Sequence, residues 1–143
     1  MFGISPESIF NTVVPNIPKI MGRGSALDYL GLSRTWGIPV VIYYDKGNII
    51  DSSYVKGVRV NSLDDIPYSL VRGIPCTTPE FALCELLKYG GNPQTINQSL
   101  ITYNSLHRGD LTDLLIQADL LNVAKQLQAA LEIALSSYDE GEL

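Results

Sequence analysis

The residue types that most often perform acid–base or metal chemistry are scarce in this chain. It contains one histidine, His107, and two cysteines, Cys76 and Cys84, which lie eight positions apart. A site built from several histidines is therefore impossible, and the cysteines lack the close pairing of a zinc site. His107 precedes Arg108-Gly109-Asp110 between two predicted helices, so we expect an exposed loop histidine. Cys84 falls within an apolar helical pattern, and we expect it to be a small core residue.

Carboxylates are more numerous, but no pattern in the sequence predicts that they converge at one site. A metal-dependent nuclease would need two or three converging acidic side chains, usually beside a lysine. Asp45-Lys46 at a strand end comes nearest to this, yet the following Gly47-Asn48 favours a solvated turn. Gly22-Arg23-Gly24 is a weak candidate for an anion site, and no P-loop or dinucleotide-binding motif is present. The sequence thus predicts no catalytic residue, no metal ligand and no cofactor.

Tyrosine is frequent, with eight residues in the chain. Tyrosine and tryptophan bring large contact areas at low entropic cost, so they often anchor protein interfaces. If one surface binds a protein partner, the sequence places it at a group of residues in the first half: Trp36, Tyr43, Tyr44, Tyr54, Arg59 and Tyr68. The alternative is that these aromatic side chains fill the core beside the strands.

The charge balance bears on the kind of partner and on location. The net charge is −5, from 10 basic and 15 acidic residues, and the lysines and arginines are scattered singly. DNA-binding domains usually show a basic stripe, so a protein or small-molecule partner is favoured, although a local basic face would still permit direct DNA binding. The longest apolar stretch, Ile38–Tyr44, is too short to cross a bilayer, and the start of the chain lacks a signal-peptide pattern. We expect a cytoplasmic protein without membrane contact.

The strongest local signal is Thr77-Thr78-Pro79-Glu80, which predicts the start of a helix. Thr78 can cap that helix with Pro79 at its first position. Alternatively, Thr77 is the cap and Glu80 reaches back to it, as in a capping box. The residues that follow form an apolar stripe at helical spacing: Ala82, Leu83, Leu86 and Leu87.

The remaining patterns set the fold class. Trp36–Tyr44 predicts a strand buried on both faces or covered by helices, with further strands at Ile49–Ile50, Tyr54–Val60 and Leu70–Pro75. Helical spacing dominates after residue 77. We therefore predict one α+β domain over residues 1–143, in which a small mixed β-sheet in the N-terminal half packs against a helical C-terminal half. Residues 136–143 are expected to be a frayed tail.

Two segments resemble a known family. Residues 73–87 read Gly-Ile-Pro-Cys-Thr-Thr-Pro-Glu-Phe-Ala-Leu-Cys-Glu-Leu-Leu and are similar to small-x-Pro-Val-Ser-Thr-Pro-Glu-Arg-Ala-x-x-Glu-Leu-Leu. Residues 23–32 read Arg-Gly-Ser-Ala-Leu-Asp-Tyr-Leu-Gly-Leu and are similar to Gly-Arg-x-Ala-Leu-x-x-x-Gly-Leu. Both patterns belong to the C-terminal domain of AbiEi-type antitoxins of type IV toxin–antitoxin systems. The segment Ile38–Tyr43 also resembles the central strand of that domain. The likeness covers roughly residues 22–135.

The resemblance implies a function as well as a fold. Members of that family join an N-terminal winged helix-turn-helix to this domain, and their toxin is a nucleotidyltransferase-like enzyme. The residues before position 22 are too few for a winged helix, so we expect either a fragment of such a protein or a stand-alone domain that acts without the winged helix. Phe81 stands where the family has an arginine, and Asn122–Gln128 stands where the family is basic. Both departures weaken an expectation of DNA contact.

We therefore expect a non-catalytic, antitoxin-like regulatory or binding domain of a prokaryotic defence or toxin–antitoxin system. It would act through transcriptional control or through antagonism of a nucleotidyltransferase-like toxin. Two alternatives stay open at this point: a protein-binding immunity or host-interaction factor, and a small metal-dependent nuclease or transferase.

Overall fold

The computed structural model describes residues 5–34 and 39–142, with side chains through residue 136. Within these ranges the strands precede most of the helices, which confirms the predicted α+β class. The elements in chain order are α1 (Pro6–Thr12), β1 (Ile20–Gly22), α2 (Arg23–Tyr29), β2 (Val40–Tyr44), β3 (Val55–Arg59), a 3-10 turn (Leu63–Asp65), β4 (Tyr68–Val71), β5 (Ile74–Thr77), α3 (Pro79–Tyr89), α4 (Pro93–Leu106), α5 (Thr112–Leu120) and α6 (Ala124–Glu142).

The five strands form one mixed sheet in the order β3-β2-β1-β5-β4. β2 is parallel to β3 and antiparallel to β1, while β1 is parallel to β5, and β5 forms a hairpin with β4. β2 is buried on both faces, with Ile42 and Tyr43 fully enclosed, as its nearly continuous β-branched and aromatic run predicts. Trp36, at the start of the predicted strand, lies outside the described residues.

The prediction of a strand at Ile49–Ile50 was wrong. Because β2 and β3 are parallel neighbours, the chain between them must return across the sheet, and the intervening segment is a loop. Ile49 is buried in that loop against Gly57 of β3, where an added Cβ would lie 2.9 Å from Cβ of Ile49. Glycine is therefore required at position 57, because the loop approaches β3 closely there. The apolar pair Ile49–Ile50 belongs to the crossover loop and not to a strand.

The main core extends from the sheet into the helical half. Met21, Val40 and Cys76 of the sheet belong to the same buried cluster as Leu83 of α3 and Leu127 of α6. A smaller cluster on the opposite face contains Ile20, Tyr43, Ile66 and Phe81. Phe81 packs edge-on against Tyr43, with 6.3 Å between ring centroids, so Phe81 is a core residue.

The start of α3 follows the first of the two predicted arrangements. Thr78 is the N-cap, its Oγ1 accepts a hydrogen bond from the Phe81 N–H at 3.3 Å, and Pro79 occupies the first helical position. The capping-box alternative was wrong, because Thr77 is the last residue of β5 and points its side chain into the interior. Glu80 instead accepts a hydrogen bond from the Tyr103 hydroxyl at 2.6 Å, which connects α3 to α4.

The sequence pattern predicts the last two helices at Leu111–Gln117 and Leu120–Ser136, but the structure divides them at a different place. α5 continues to Leu120, and α6 begins only at Ala124, because Asn122 adopts a left-handed conformation (φ 61°) that interrupts the helix. α6 then continues to Glu142, into the segment expected to fray. Among the described residues, no helix combines the length and the apolar character that a membrane span requires.

Candidate functional site

The structure does not bring the predicted partner-binding residues together. Tyr43 and Tyr44 are buried in the sheet, which corrects the expectation that they contribute to an exposed surface. Tyr54 and Arg59 lie at the β3 edge of the sheet, whereas Tyr68 lies on β4 at the opposite edge. The sequence placed these residues close together in the chain, but the strand order separates them.

Arg59 has a local role at the β3 edge. Its Nη1 donates a hydrogen bond to the carbonyl oxygen of Gly47 at 2.9 Å, and its guanidinium lies 5.7 Å from the ring centroid of Tyr44. These contacts attach the β2–β3 loop to β3. Arg59 therefore stabilises the crossover loop, whereas the exposed Tyr54 lies at the other end of β3.

A buried polar cluster connects the two segments that carry the family resemblance. The Tyr43 hydroxyl of β2 donates a hydrogen bond to Oε1 of Glu85 on α3 at 2.5 Å, and Nε of Arg23 lies 3.6 Å from the same oxygen. The Arg23 guanidinium also lies 4.8 Å from the ring centroid of Tyr89 and 5.9 Å from that of Tyr43. Burial and the neighbouring Glu85 carboxylate raise the pKa of Tyr43, so its hydroxyl stays a hydrogen-bond donor.

The backbone at the start of α2 is shaped to reach this cluster. Arg23 adopts a left-handed conformation (φ 53°). This conformation costs a non-glycine residue about 1–3 kcal/mol, so surrounding contacts must maintain it. Gly22 lies directly beneath the Tyr43 ring, where a Cβ would overlap Cε2 of that ring. Ser25, which the sequence suggests as a cap, lies inside α2, and its Oγ accepts a hydrogen bond from the Val41 N–H at 3.0 Å.

Arg23 also borders a cleft of about 390 Å³. The cleft lies between the start of α2, strands β2 and β3, and the α3–α4 connection. Its polar lining consists of Arg23, Ser25, Asp28, Lys56, Asn92 and Thr95. Pro39, Val41 and Leu86 add apolar surface.

His107 lies at the end of α4, as an exposed residue next to the predicted loop. Its ring stacks on Tyr103, with 3.9 Å between centroids, and its Nδ1 lies 3.0 Å from the carbonyl oxygen of Tyr103. Asp45, the other candidate for chemistry, accepts a hydrogen bond from the Leu63 N–H at 2.9 Å. Within the described ranges, no three histidine, cysteine, aspartate or glutamate side chains are grouped so that they could hold a metal ion.

Both cysteines are free and buried, as expected for Cys84. Burial raises the pKa of Cys76 to about 12, and burial together with Glu80 and Glu85 raises the pKa of Cys84 to about 12. Since the thiolate is the reactive form, both thiols should be inert in the folded protein at pH 8.

We expect Ellman's reagent to modify neither cysteine of the native protein at pH 8 and to modify both after unfolding in guanidinium. A fast reaction of either thiol without denaturant would show that the helix–sheet packing opens readily at that position.

The helical half presents a second candidate surface, which we call the α5–α6 groove. It has a volume of about 400 Å³ and is lined by Leu115, Ala124, Gln128, Leu131, Glu132 and Leu135. Beside it, α5 carries two further exposed apolar side chains, Ile116 and Leu120. The sequence interpretation did not single out this surface. The signal was present in α5, where Leu114-Leu115-Ile116 covers more than one helical face.

Comparison with protein-family models gives no match for this chain, and comparison with curated proteins gives no significant match.

Proposed function

We propose that this chain is a non-catalytic, antitoxin-like binding domain that recognises a protein partner through the exposed side of α5 and the α5–α6 groove. The partner class is a nucleotidyltransferase-like toxin, as the resemblance to AbiEi-type antitoxins implies. The observation that carries the proposal is a group of three exposed apolar side chains on α5: Leu115, Ile116 and Leu120.

α5 carries exposed apolar side chains, interspersed with the exposed Asp113 and Asp119, as well as buried ones. Leu114 and Ala118 are fully buried, yet Leu115, Ile116 and Leu120 are 49%, 54% and 75% exposed. The outer face of a surface helix is normally polar, and a contiguous apolar patch on a soluble domain typically marks an interaction site. The α5–α6 groove extends this patch across to Leu131 and Leu135 of α6.

The composition of the surface favours a protein over DNA. No lysine or arginine lines the α5–α6 groove, which includes the acidic side chain of Glu132. Binding to DNA depends on cationic side chains that neutralise phosphates. An apolar groove with a polar rim instead suits the side chains of a protein surface.

Polar residues of the two segments that resemble the antitoxin family, 23–32 and 73–87, have a structural role and leave recognition to the helical surface. Arg23 of the first segment and Glu85 of the second meet in the buried cluster with Tyr43. These residues therefore join α2, β2 and α3, and they are largely buried. Recognition of the protein partner is assigned to the helical surface.

The test is co-expression with the protein encoded by the neighbouring gene, which the proposal requires to be a nucleotidyltransferase-like toxin. We expect the wild-type chain to suppress the toxin and to co-purify with it. Ile116→Glu combined with Leu120→Glu should weaken the measured affinity at least about 30-fold, equivalent to roughly 2 kcal/mol, because charges replace apolar contacts. The matched control is Ile50→Glu, since Ile50 is an apolar residue, 81% exposed, in the β2–β3 loop, and it should leave affinity and suppression unchanged.

Two results would contradict the proposal. One is the absence of binding between the wild-type chain and that protein. The other is an equal loss of affinity in the Ile50→Glu control. Salt-sensitive binding of the wild-type chain to its own promoter, retained by the double variant, would assign transcriptional control instead of antagonism through α5.

A further inference from the structure

We infer that the cleft beside Arg23 binds a small organic anion, through a carboxylate or phosphate group placed between Arg23 and Lys56. The inference concerns the opposite half of the protein from the α5–α6 groove, and it does not depend on the proposed function.

The hydrogen-bonding capacity of Arg23 is incompletely used within the protein. A guanidinium has five N–H donors, but the nearest carboxylate oxygen, Oε1 of Glu85, lies 3.6 Å from Nε and already accepts a hydrogen bond from Tyr43. Nε is buried and has no hydrogen-bond partner among the described residues. Nε is enclosed on the Glu85 side, so a ligand in the cleft would be bound by the terminal nitrogens of the guanidinium, Nη1 and Nη2.

Arg23 is held where it can act on a ligand. Its side chain is 17% exposed and forms part of the cleft wall, while the Tyr89 ring and Glu85 fix its guanidinium from behind. A guanidinium fixed in this way is preorganised for a planar or tetrahedral anion, which it can bind with two parallel hydrogen bonds.

A second cation lines the same cleft. Lys56 of β3 lies 3.7 Å from the nearest oxygen of Asp51, but both side chains are largely exposed, and such surface pairs contribute little stability. Little stability would therefore be lost if the Lys56 ammonium left Asp51 to contact an anion in the cleft. Ser25, Asn92 and Thr95 add short polar side chains to the lining.

The size and mixed charge of the cleft narrow the ligand class. A volume of about 390 Å³ falls at the low end of the range for small-molecule sites. Asp28 lines the cleft together with the two cations, so a ligand that carries a hydrogen-bond donor or an amino group besides its anion fits better than a bare polyanion. Amino acids and nucleoside monophosphates share this chemistry.

The experiment is an NMR titration of the ¹⁵N-labelled full chain at low salt with three probes: glutamate, adenosine monophosphate and inorganic phosphate. We expect saturable shifts at residues 23–28, 56 and 92–95 with glutamate or with adenosine monophosphate, and the more effective probe identifies the anion as carboxylate or phosphate. Lys56→Gln should weaken the affinity roughly five- to tenfold, about 1 kcal/mol. The matched control Lys46→Gln removes the same charge from an exposed position outside the cleft and should leave the affinity unchanged.

The inference is overturned if none of the probes gives saturable shifts in the cleft up to about 10 mM, or if Lys46→Gln weakens binding as much as Lys56→Gln. Shifts that saturate elsewhere on the surface would also overturn it. Arg23→Lys keeps the charge but not the two parallel hydrogen bonds, and in a variant that remains folded it should weaken binding further than Lys56→Gln.

Discussion

Glu85→Ala is expected to lower the free energy of unfolding by about 3 kcal/mol, because it removes the acceptor on which two buried groups depend. The Tyr43 hydroxyl would lose its hydrogen-bond partner, and the Arg23 guanidinium would lose its nearest negative charge while remaining largely buried. An isolated buried charge costs more than the original pair contributes, since nothing replaces its lost hydration. Urea denaturation followed by circular dichroism at pH 7 measures the change.

Two milder substitutions separate the contributions in this cluster. Tyr43→Phe removes one hydrogen bond and keeps the ring, so it should cost about 1 kcal/mol. Glu85→Gln keeps an acceptor for Tyr43 but removes the charge opposite Arg23, so its effect should lie between those of Tyr43→Phe and Glu85→Ala. If Glu85→Ala were no more destabilising than Tyr43→Phe, the Arg23–Glu85 contact would not contribute to stability.

Gly22→Ala is the second large effect, expected to destabilise the protein by about 2 kcal/mol or more through overpacking. The backbone of Gly22 is extended (φ −140°, ψ 178°) and would accept alanine, but the added Cβ would overlap the Tyr43 ring. That ring cannot easily move aside, because its hydroxyl is bound to Glu85 and its edge packs against Phe81.

Gly24→Ala is the matched control for Gly22→Ala. An added Cβ at Gly24 meets nothing within 4 Å, and the residue lies within α2, so alanine should stabilise the helix by up to about 1 kcal/mol. The opposite signs of the two substitutions, measured by thermal denaturation, test the position of the Tyr43 ring. Equal effects of the two substitutions would show that the ring does not lie against β1.

The sequence predicts the parts of the fold that are determined locally. The β-branched run at Val40–Tyr44 allows little but a strand, and Thr78-Pro79 satisfies the chemistry of a helix start by itself. β1 was missed because Ile20-Met21-Gly22 is too short to show an alternation. The parallel pairing of β2 with β3 was also beyond prediction, since a strand pattern does not specify its neighbour.

The candidate site was less predictable because it depends on contacts between distant segments. The aromatic residues chosen as partner anchors are close in sequence, yet the strand order places Tyr54 and Tyr68 at opposite edges. The Arg23–Glu85 contact had a signal that was not used: Glu85 falls between Cys84 and Leu86 on a face that must be buried. A buried carboxylate needs a donor or a cation, and Arg23 belongs to the other resembling segment.

Hydrogen–deuterium exchange, measured on the chain alone and in complex with the proposed nucleotidyltransferase-like partner, tests most directly the proposal that recognition is carried by α5 and the α5–α6 groove. We expect slower exchange in α5 and in α6 up to Leu135, with β3 and β4 unchanged. Slower exchange confined to β3 or β4, with α5 and α6 unaffected, would contradict it.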